Sequence, residues 1–343
     1  MKCDIIIPIW DQLEFTRDCV KSIVENTKYP FRLILIDNGS AQKTQIYLRS
    51  LLNQPNPEVR LIRNEENLGF VKAVNQGLKA SDAPYICVMN NDTVAADGWL
   101  AEMIDVADSN QAIGLINPSS NNLGQNPPAT DSAAIKKFAE GLRKFKGHYI
   151  ELGAALGFCM LIKRDVFKKL GYFDEAYGIG NFEDTDYSRK AVSSGYLCVR
   201  AKASYVYHRI SKSFLKNKDF EEVFRKNEEL FNRRWGKPRR ILYIMTREHE
   251  KLGSWLKSEF IKKARFGNWV WLFLKGRAGF EIEEHSNVRV FSLPEFLFSE
   301  NCIFRILKRK KKFDAIYVDD AAMQERLAKL KKYHNADVMM MGG

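Results

Sequence analysis

The fold class that this 343-residue sequence predicts is α/β, built on a doubly wound, mostly parallel sheet. Three observations predict it. Short runs rich in Ile, Val and Leu alternate with longer stretches whose apolar residues recur at helical spacing, as a parallel sheet covered by helices requires. The apolar runs stop on polar or glycine-bearing residues, so the strand tips line one rim, and ligands of open α/β sheets bind outside the carboxyl ends of the strands. The length exceeds that of a usual single domain, which leads us to expect a second one.

The elements follow in order. Ile5-Ile6-Ile7-Pro8-Ile9 reads as a buried strand closed by proline, and Leu13, Cys19, Val20, Ile23 and Val24 as the apolar stripe of a helix. Arg32 to Ile36 is a second strand, ending on Asp37-Asn38-Gly39-Ser40. Gln45 to Leu52 reads as a helix, Val59 to Arg63 as a strand ending near Asn64 to Gly69, and Lys72 to Lys79 as a helix. Tyr85 to Met89 is the fourth strand, and it stops on Asn90-Asn91-Asp92-Thr93. A helix from Trp99 and a strand from Ile113 to Asn117 lead into Pro118 to Asp131, a Ser-, Asn-, Gly- and Pro-rich loop that reads either as a lid or as disorder. Ile135 to Phe145 reads as a helix, Leu152 to Ile162 as one glycine-punctuated strand, and Asp165 as the cap of a helix through Leu170. Glu183, Asp184 and Asp186 crowd the start of an amphipathic helix. Capping accounts for one or two of them, and Asp186 can pair with Arg189 or Lys190 a turn later. Glu183 and Asp184 lack a local partner, as a base aimed into a cleft would. Val199 to Tyr207 is another strand, with His208 at its end and Arg209-Ile210-Ser211-Lys212-Ser213 after it.

The rim has no GxGxxG, so a dinucleotide fingerprint is absent. What it carries is carboxylates, amides and backbone N–H groups able to hold a base, a ribose and a metal-bound diphosphate. Asn-Asn-Asp-Thr reads equally as a turn or as a strand-tip site with Asp92 as metal ligand. An Asp with a His suits Mn²⁺ better than Mg²⁺. Arg209, Ser211, Lys212 and Ser213 could neutralise a leaving diphosphate. Glu183 and Asp184 are sequence neighbours, which argues against a glycoside hydrolase, whose two carboxylates flank the scissile bond.

The series Ile7-Pro8-Ile9, Ile36-Asp37-Asn38-Gly39-Ser40, Asn67-Leu68-Gly69-Phe70, Asn90-Asn91-Asp92, Gly171-Tyr172-Phe173-Asp174-Glu175, Phe182-Glu183-Asp184-Thr185-Asp186 and Tyr207-His208 resembles the family 2 glycosyltransferases of GT-A fold, in order and spacing. The resemblance covers residues 1–236. It implies an inverting transfer of a sugar from a nucleotide-sugar donor, UDP- or dTDP-linked, to a hydroxyl of a glycan or lipid-linked acceptor, aided by Mn²⁺ or Mg²⁺. By it, Pro8 and Ile9 bracket the base, Asp37 reads its edge and Asn67 lies by the base or ribose. Asn90-Asn91-Asp92 matches the family's DxD, with Asn90 in place of the first carboxylate. Asp92 and His208 become the metal ligands, Asp184 the catalytic base with Glu183 beside it, and Lys212 a donor contact. The Asn90 exchange keeps open a second reading, a catalytically weak domain that binds a glycan or a partner.

Residues 237–343 read as a smaller, basic, Rossmann-like α/β domain, with strands at Ile241 to Thr246, Val270 to Leu274, Val288 to Phe291, Ala315 to Val318 and Val338 to Met341. Most of the net charge of +12 lies in it. Arg305 to Lys312 is a basic cluster that reads as a solvated helix face or as a contact for an acidic glycan or lipid surface. His249, His285 and His334 receive no role. The chain stops on Gly342-Gly343 after an apparent strand, as a piece of a longer protein would. Six cysteines without CxxC spacing read as reduced core thiols. Without a signal peptide or a spanning apolar run, the expectation is a cytoplasmic protein that touches a membrane at most peripherally, at its inner face, and has no nucleic-acid partner.

Overall fold

The computed structural model describes residues 2–209, 220–247, 250–276 and 283–341, and no side chain at 220 or 250–255. Lys212, with Ser211 and Ser213, lies outside the described residues, as do His249 and Gly342-Gly343. The chain divides into two compact units, 1–150 with 154–235, and 151–153 with 236–343.

The first unit runs β1 (Cys3–Ile9), α1 (Leu13–Asn26), β2 (Phe31–Asn38), α2 (Gln42–Leu51), β3 (Glu58–Asn64), α3 (Phe70–Ala80), β4 (Tyr85–Met89), β5 (Thr93–Ala95), α4 (Trp99–Ser109), β6 (Ile113–Ser119), α5 (Ser132–Leu142), β7 (Tyr149–Glu151), β8 (Cys159–Lys163), α6 (Arg164–Leu170), α7 (Glu183–Ser193), β9 (Leu197–His208) and α8 (Phe220–Trp235). Its strands order as β3-β2-β1-β4-β8-β6-β9-β5, with β7 on β9. β1 is parallel to both β2 and β4, and β2 to β3. β8 runs against β4 and β6, and β5 against β9, which makes the sheet mixed and mostly parallel.

The β-branched runs earn their place by burial on both faces. Ile5, Ile6, Ile7 and Ile9 are fully buried, as are Leu33, Ile34, Leu35 and Ile36. α3 lies close on β1 at Gly77, where a Cβ would come within 2.3 Å of Ile6 Cγ2, so only glycine fits. At the far ends of the strands, Asp4 is fully buried against Arg32, whose Nη2 donates to Asp4 Oδ2 at 2.8 Å. Burial alone would raise the Asp4 carboxyl, but hydrogen bonds from Arg32, Ser81 and the Ala83 N–H outweigh it and hold the group below its ordinary value.

Two expectations need correction. Leu152 to Ile162 is not one strand: only Cys159–Lys163 pairs, as β8, while residues 155–157 turn across the strand tips with their backbone bonded to side chains instead of a ladder. Asp165 is not a cap either. The helix begins one residue earlier, at Arg164, and Asp165 lies in its first turn with its side chain near Lys168.

The second unit runs β10 (Arg240–Met245), α9 (Glu250–Arg265), β11 (Trp269–Lys275), β12 (Val288–Leu293), α10 (Phe298–Lys308), β13 (Ala315–Val318), α11 (Ala321–Lys329), α12 (Lys331–His334) and β14 (Asp337–Met340). All its described strands are parallel, in the order β12-β11-β10-β13-β14. Alternate residues of β10 feed two cores, Leu242 and Ile244 on one face and Ile241, Tyr243 and Met245 on the other. All six cysteines are buried free thiols. Among the described residues, no helix is long and apolar enough to cross a membrane.

Candidate active site

Strand register assembles the first pair of groups. After β4 the chain turns through Asn90-Asn91-Asp92 into β5, which pairs with the end of β9 so that Thr93 faces His208. That pairing sets His208 Nε2 2.9 Å from Asp92 Oδ1, across 116 residues of sequence. The ring is fixed on every side. Phe158 stacks on it with centroids 5.4 Å apart, Asn122 Nδ2 lies 2.6 Å from Nδ1, and Asn121 both donates to the His208 carbonyl and accepts from its N–H at 2.8 Å. The Asn90 amide lies 3.5 Å from Nε2. Asn91 turns the other way and donates to Thr16 Oγ1 on α1 at 2.9 Å.

The second pair sits at the start of α7. Asn181 and Phe182 precede it with φ of 73° and 72°, a left-handed conformation costly for non-glycine residues. Asn227 of α8 holds that turn, with Nδ2 donating to the carbonyls of Tyr177 and Gly180 at 2.9 Å each. The half-buried Asp184 accepts from the Gly157 N–H at 2.8 Å on Oδ2, and on Oδ1 from the Thr185 N–H and hydroxyl at 2.6 and 3.1 Å. Burial pushes its carboxyl up, and those hydrogen bonds offset part of the rise. Glu183 is 6% exposed, and its Oε2 has no hydrogen-bond partner. Its carboxyl is pushed well above the ordinary value, first by burial and then by the charge of Asp184. Asp186 is spoken for: Oδ1 accepts from Trp235 Nε1 and Oδ2 lies 2.8 Å from Lys190 Nζ, whereas Arg189 lies over the Phe231 ring.

One short segment joins the two pairs. Gly157 binds Asp184, while its neighbour Phe158 stacks on His208 and accepts from the Asn90 N–H at 2.8 Å. Gly157 lies directly against the two acids, where a Cβ would stand 3.5 Å from Asp184 and 3.7 Å from Glu183 Oε1. The segment is held by Asn117, fully buried at the end of β6, whose Nδ2 donates to the Leu156 and Cys159 carbonyls and whose Oδ1 accepts from the Leu156 N–H. Asn117, Phe158 and Asn122 escape sequence reasoning, whereas Gly157 reads from the sequence as a place of close approach or a bulge. The signal for Asn117 was a polar residue ending an apolar strand, but its partners lie about forty residues away.

The base-side residues line the adjoining tips. Ile9 is opposite Asp37, and Asp37 opposite Arg63. Asp37 is fully buried, with Oδ1 accepting from the Ser40 N–H at 3.0 Å and Oδ2 from Arg63 Nη1 at 2.6 Å. Asn67 accepts from Asn38 Nδ2 at 2.8 Å, and Pro8, one residue before the end of β1, pairs with Ile36. No group of three or more His, Cys, Asp and Glu that could hold a metal occurs among the described residues. A carboxylate oxygen and an imidazole nitrogen on one spot fit a cation whose remaining positions belong to phosphate oxygens and water. With Asn122 Nδ2 donating to Nδ1, Nε2 bears the proton and gives it to Asp92; ligation through Nε2 moves that proton to Nδ1 and requires the Asn122 amide to turn its oxygen there.

Comparison with known proteins agrees with this architecture. Residues 4–171 match the model of Glycosyl transferase family 2, a span that holds Asp37 and Asp92 but not Asp184 or His208. An uncharacterized protein y4gI of Sinorhizobium fredii is 26% identical over 252 residues, covering 67% of this chain and 27% of its own length. An N-acetylglucosaminyl-diphospho-decaprenol L-rhamnosyltransferase of Mycobacterium tuberculosis is 25% identical over 216 residues, 53% of this chain and 67% of its own. The crystal structure of GalNAc-T7 with UDP, GalNAc and Mn²⁺ superposes with a TM-score of 0.50 at 19% identity, over 69% of this chain and 51% of that one, a likeness of fold. The chain thus spans about a quarter of the first relative and half of that solved structure. With a GT-A sheet and the family's match from 4 to 171, this part of the chain belongs to glycosyl transferase family 2.

Proposed function

We propose that the chain is an inverting glycosyltransferase that moves a hexosyl or deoxyhexosyl group from a UDP- or dTDP-sugar to a hydroxyl of a glycan or lipid-linked acceptor. The observation that carries this reading is the Gly157–Phe158 segment, which touches Asp184 with one residue and His208 with the next. An acid and a cation site tied this closely suit a single displacement between them.

Asp184 takes the acceptor hydroxyl proton as that oxygen attacks the anomeric carbon. The bond from that carbon to the diphosphate oxygen breaks on the opposite face, so configuration inverts. A divalent cation, Mn²⁺ or Mg²⁺, held by Asp92 and His208 would supply charge stabilisation for the departing diphosphate. Pro8, Ile9, Asp37 and Asn67 hold the base and ribose, with Asn90 at the sugar-phosphate end and Lys212 beyond the described residues; Asn91, bonded to Thr16 on α1, steadies the turn instead of touching the donor. Burial and the charge of Asp184 push the Glu183 carboxyl up, and the hydrogen bonds on Asp184 favour its ionised form, so the pair is suited to carry a single proton between them. The work is set at the cytoplasmic face of a membrane or cell envelope, in polysaccharide assembly. The folding units would be a GT-A domain at 1–236 and a small basic domain at 237–343.

Asn90, where a carboxylate is usual, favours a second reading as a glycan- or partner-binding module. A thermal-shift panel of UDP, dTDP and GDP with Mn²⁺, followed by a donor-sugar turnover screen, separates the two. Transfer expects stabilisation by UDP or dTDP and release of that nucleotide; a module expects neither.

A further inference from the structure

We propose that the second unit carries a docking surface for an anionic lipid bilayer, formed by the turn before α10 and the outer face of that helix. This goes beyond the transfer reading and stands without it, because binding is measured on the protein alone. α10 turns Phe298, Cys302 and Ile306 into the core, which fixes the opposite face as outward. On that face stand Phe304 and Lys308, four residues apart, and Leu297 is the left-handed residue just before the helix. Leu297 is 51% exposed and Phe304 61%, and Phe296 beside them is 79% exposed. A ring that exposed stands off the surface. Leu297 also has φ 55°, a left-handed conformation that costs a bulky residue about 1 kcal/mol and that no side-chain cap offsets here.

Apolar side chains gathered this way on one helix face mark an interaction site, whereas scattered ones do not. The charge around them selects the partner. Lys308 Nζ lies 5.3 Å from the Phe304 ring and Arg305 lies over Phe291 at 6.0 Å, so cations flank the aromatics. Lys310 and Lys311 follow, both exposed. The acid on the same helix, Glu300, is held by Arg326 at 2.9 Å. Protruding Phe and Leu rimmed by Lys and Arg suit the headgroup–acyl boundary, where apolar groups enter and cations meet lipid phosphates.

The test is co-sedimentation of the full chain with vesicles of phosphatidylcholine alone and with a third phosphatidylglycerol, at low and high salt. Binding is expected only with phosphatidylglycerol, weakening as salt rises. Phe296→Ser with Leu297→Ser, and separately Lys310→Glu with Lys311→Glu, are each expected to lower vesicle binding at least tenfold; each lost cation accounts for roughly fivefold. Thermal melting of both variants is expected to match the parent, since the residues are exposed. Equal binding to both vesicle types, no binding, or full binding by either double variant overturns the proposal. So does capture of single-stranded RNA in place of vesicles, or a concentration-dependent dimer that the Phe296→Ser, Leu297→Ser variant abolishes.

Discussion

Replacing Asp184 by Asn separates the chemistry of that group from its place in the fold. Both carboxylate oxygens accept hydrogen bonds, one from Gly157 and the other from Thr185. A carboxamide has one oxygen, so in either orientation its NH₂ meets a donor. Leaving that donor unpaired costs about 1–3 kcal/mol, or a few degrees in Tm for a unit of this size. Loss of a general base costs roughly 10²–10⁴ in turnover. The two magnitudes are read separately, by melting and by a nucleotide-release assay at saturating donor and acceptor, with nucleotide affinity from the same melting curves. Asp184→Asn is expected to melt slightly earlier, to bind UDP or dTDP as the parent does, and to lose at least a hundredfold in kcat. A folded variant that turns over within about threefold of the parent refutes the base assignment, since such a change is far below what a general base supplies.

Other expectations follow from the same geometry. Asn117→Ala removes the three hydrogen bonds that fix residues 156–159; kcat is expected to fall more than KM rises, and Asn117→Asp, which keeps only the acceptor, is expected to recover little of it. Glu183 has a raised carboxyl, so its burial costs stability increasingly as pH climbs from the unfolded value through the folded one. Glu183→Gln is therefore expected to raise Tm at neutral and alkaline pH and to match the parent near pH ~4; a lower Tm at pH 8 contradicts it. Asp4 is held below its ordinary value, so its contribution is complete above the unfolded pKa and lost as pH falls through the folded one. Asp4→Ala leaves Arg32 its pairs with Asp82 and Glu58 but takes the acceptor from Ser81 and the Ala83 N–H, and is expected to cost about 1–3 kcal/mol, measured by urea melts, with kcat per folded molecule unchanged.

Much of the sheet was legible because its strands are buried on both faces and so appear as unbroken Ile, Val and Leu runs, as in Ile5 to Ile9 and Arg32 to Ile36. Their polar ends were legible as the points where the apolar runs stop, although Asp37, Asn38 and Asp92 remain buried there and need hydrogen-bond partners that the sequence does not show. The direction of β8 and β5 was not: Cys159–Lys163 and Thr93–Ala95 have ordinary strand composition, and direction depends on partners chosen across the sheet. The Leu152 to Ile162 error has a related cause. Its apolar residues and glycines look like a strand, yet Asn117 and Ser188 satisfy the backbone of residues 155–159 from outside. Side-chain-to-backbone clamps of this kind leave no local period in the sequence. The closeness of Asp92 to His208 likewise rests on register, through Thr93 facing His208.

Mn²⁺ electron paramagnetic resonance with UDP or dTDP bound, compared among the parent, His208→Ala and Asp184→Asn, examines the shared site most directly. The expected result is nucleotide-dependent Mn²⁺ binding with a histidine nitrogen coupling that persists in Asp184→Asn and vanishes in His208→Ala. A coupling that survives His208→Ala, or Mn²⁺ that ignores the nucleotide, would contradict a cation held by Asp92 and His208 next to the transferring sugar.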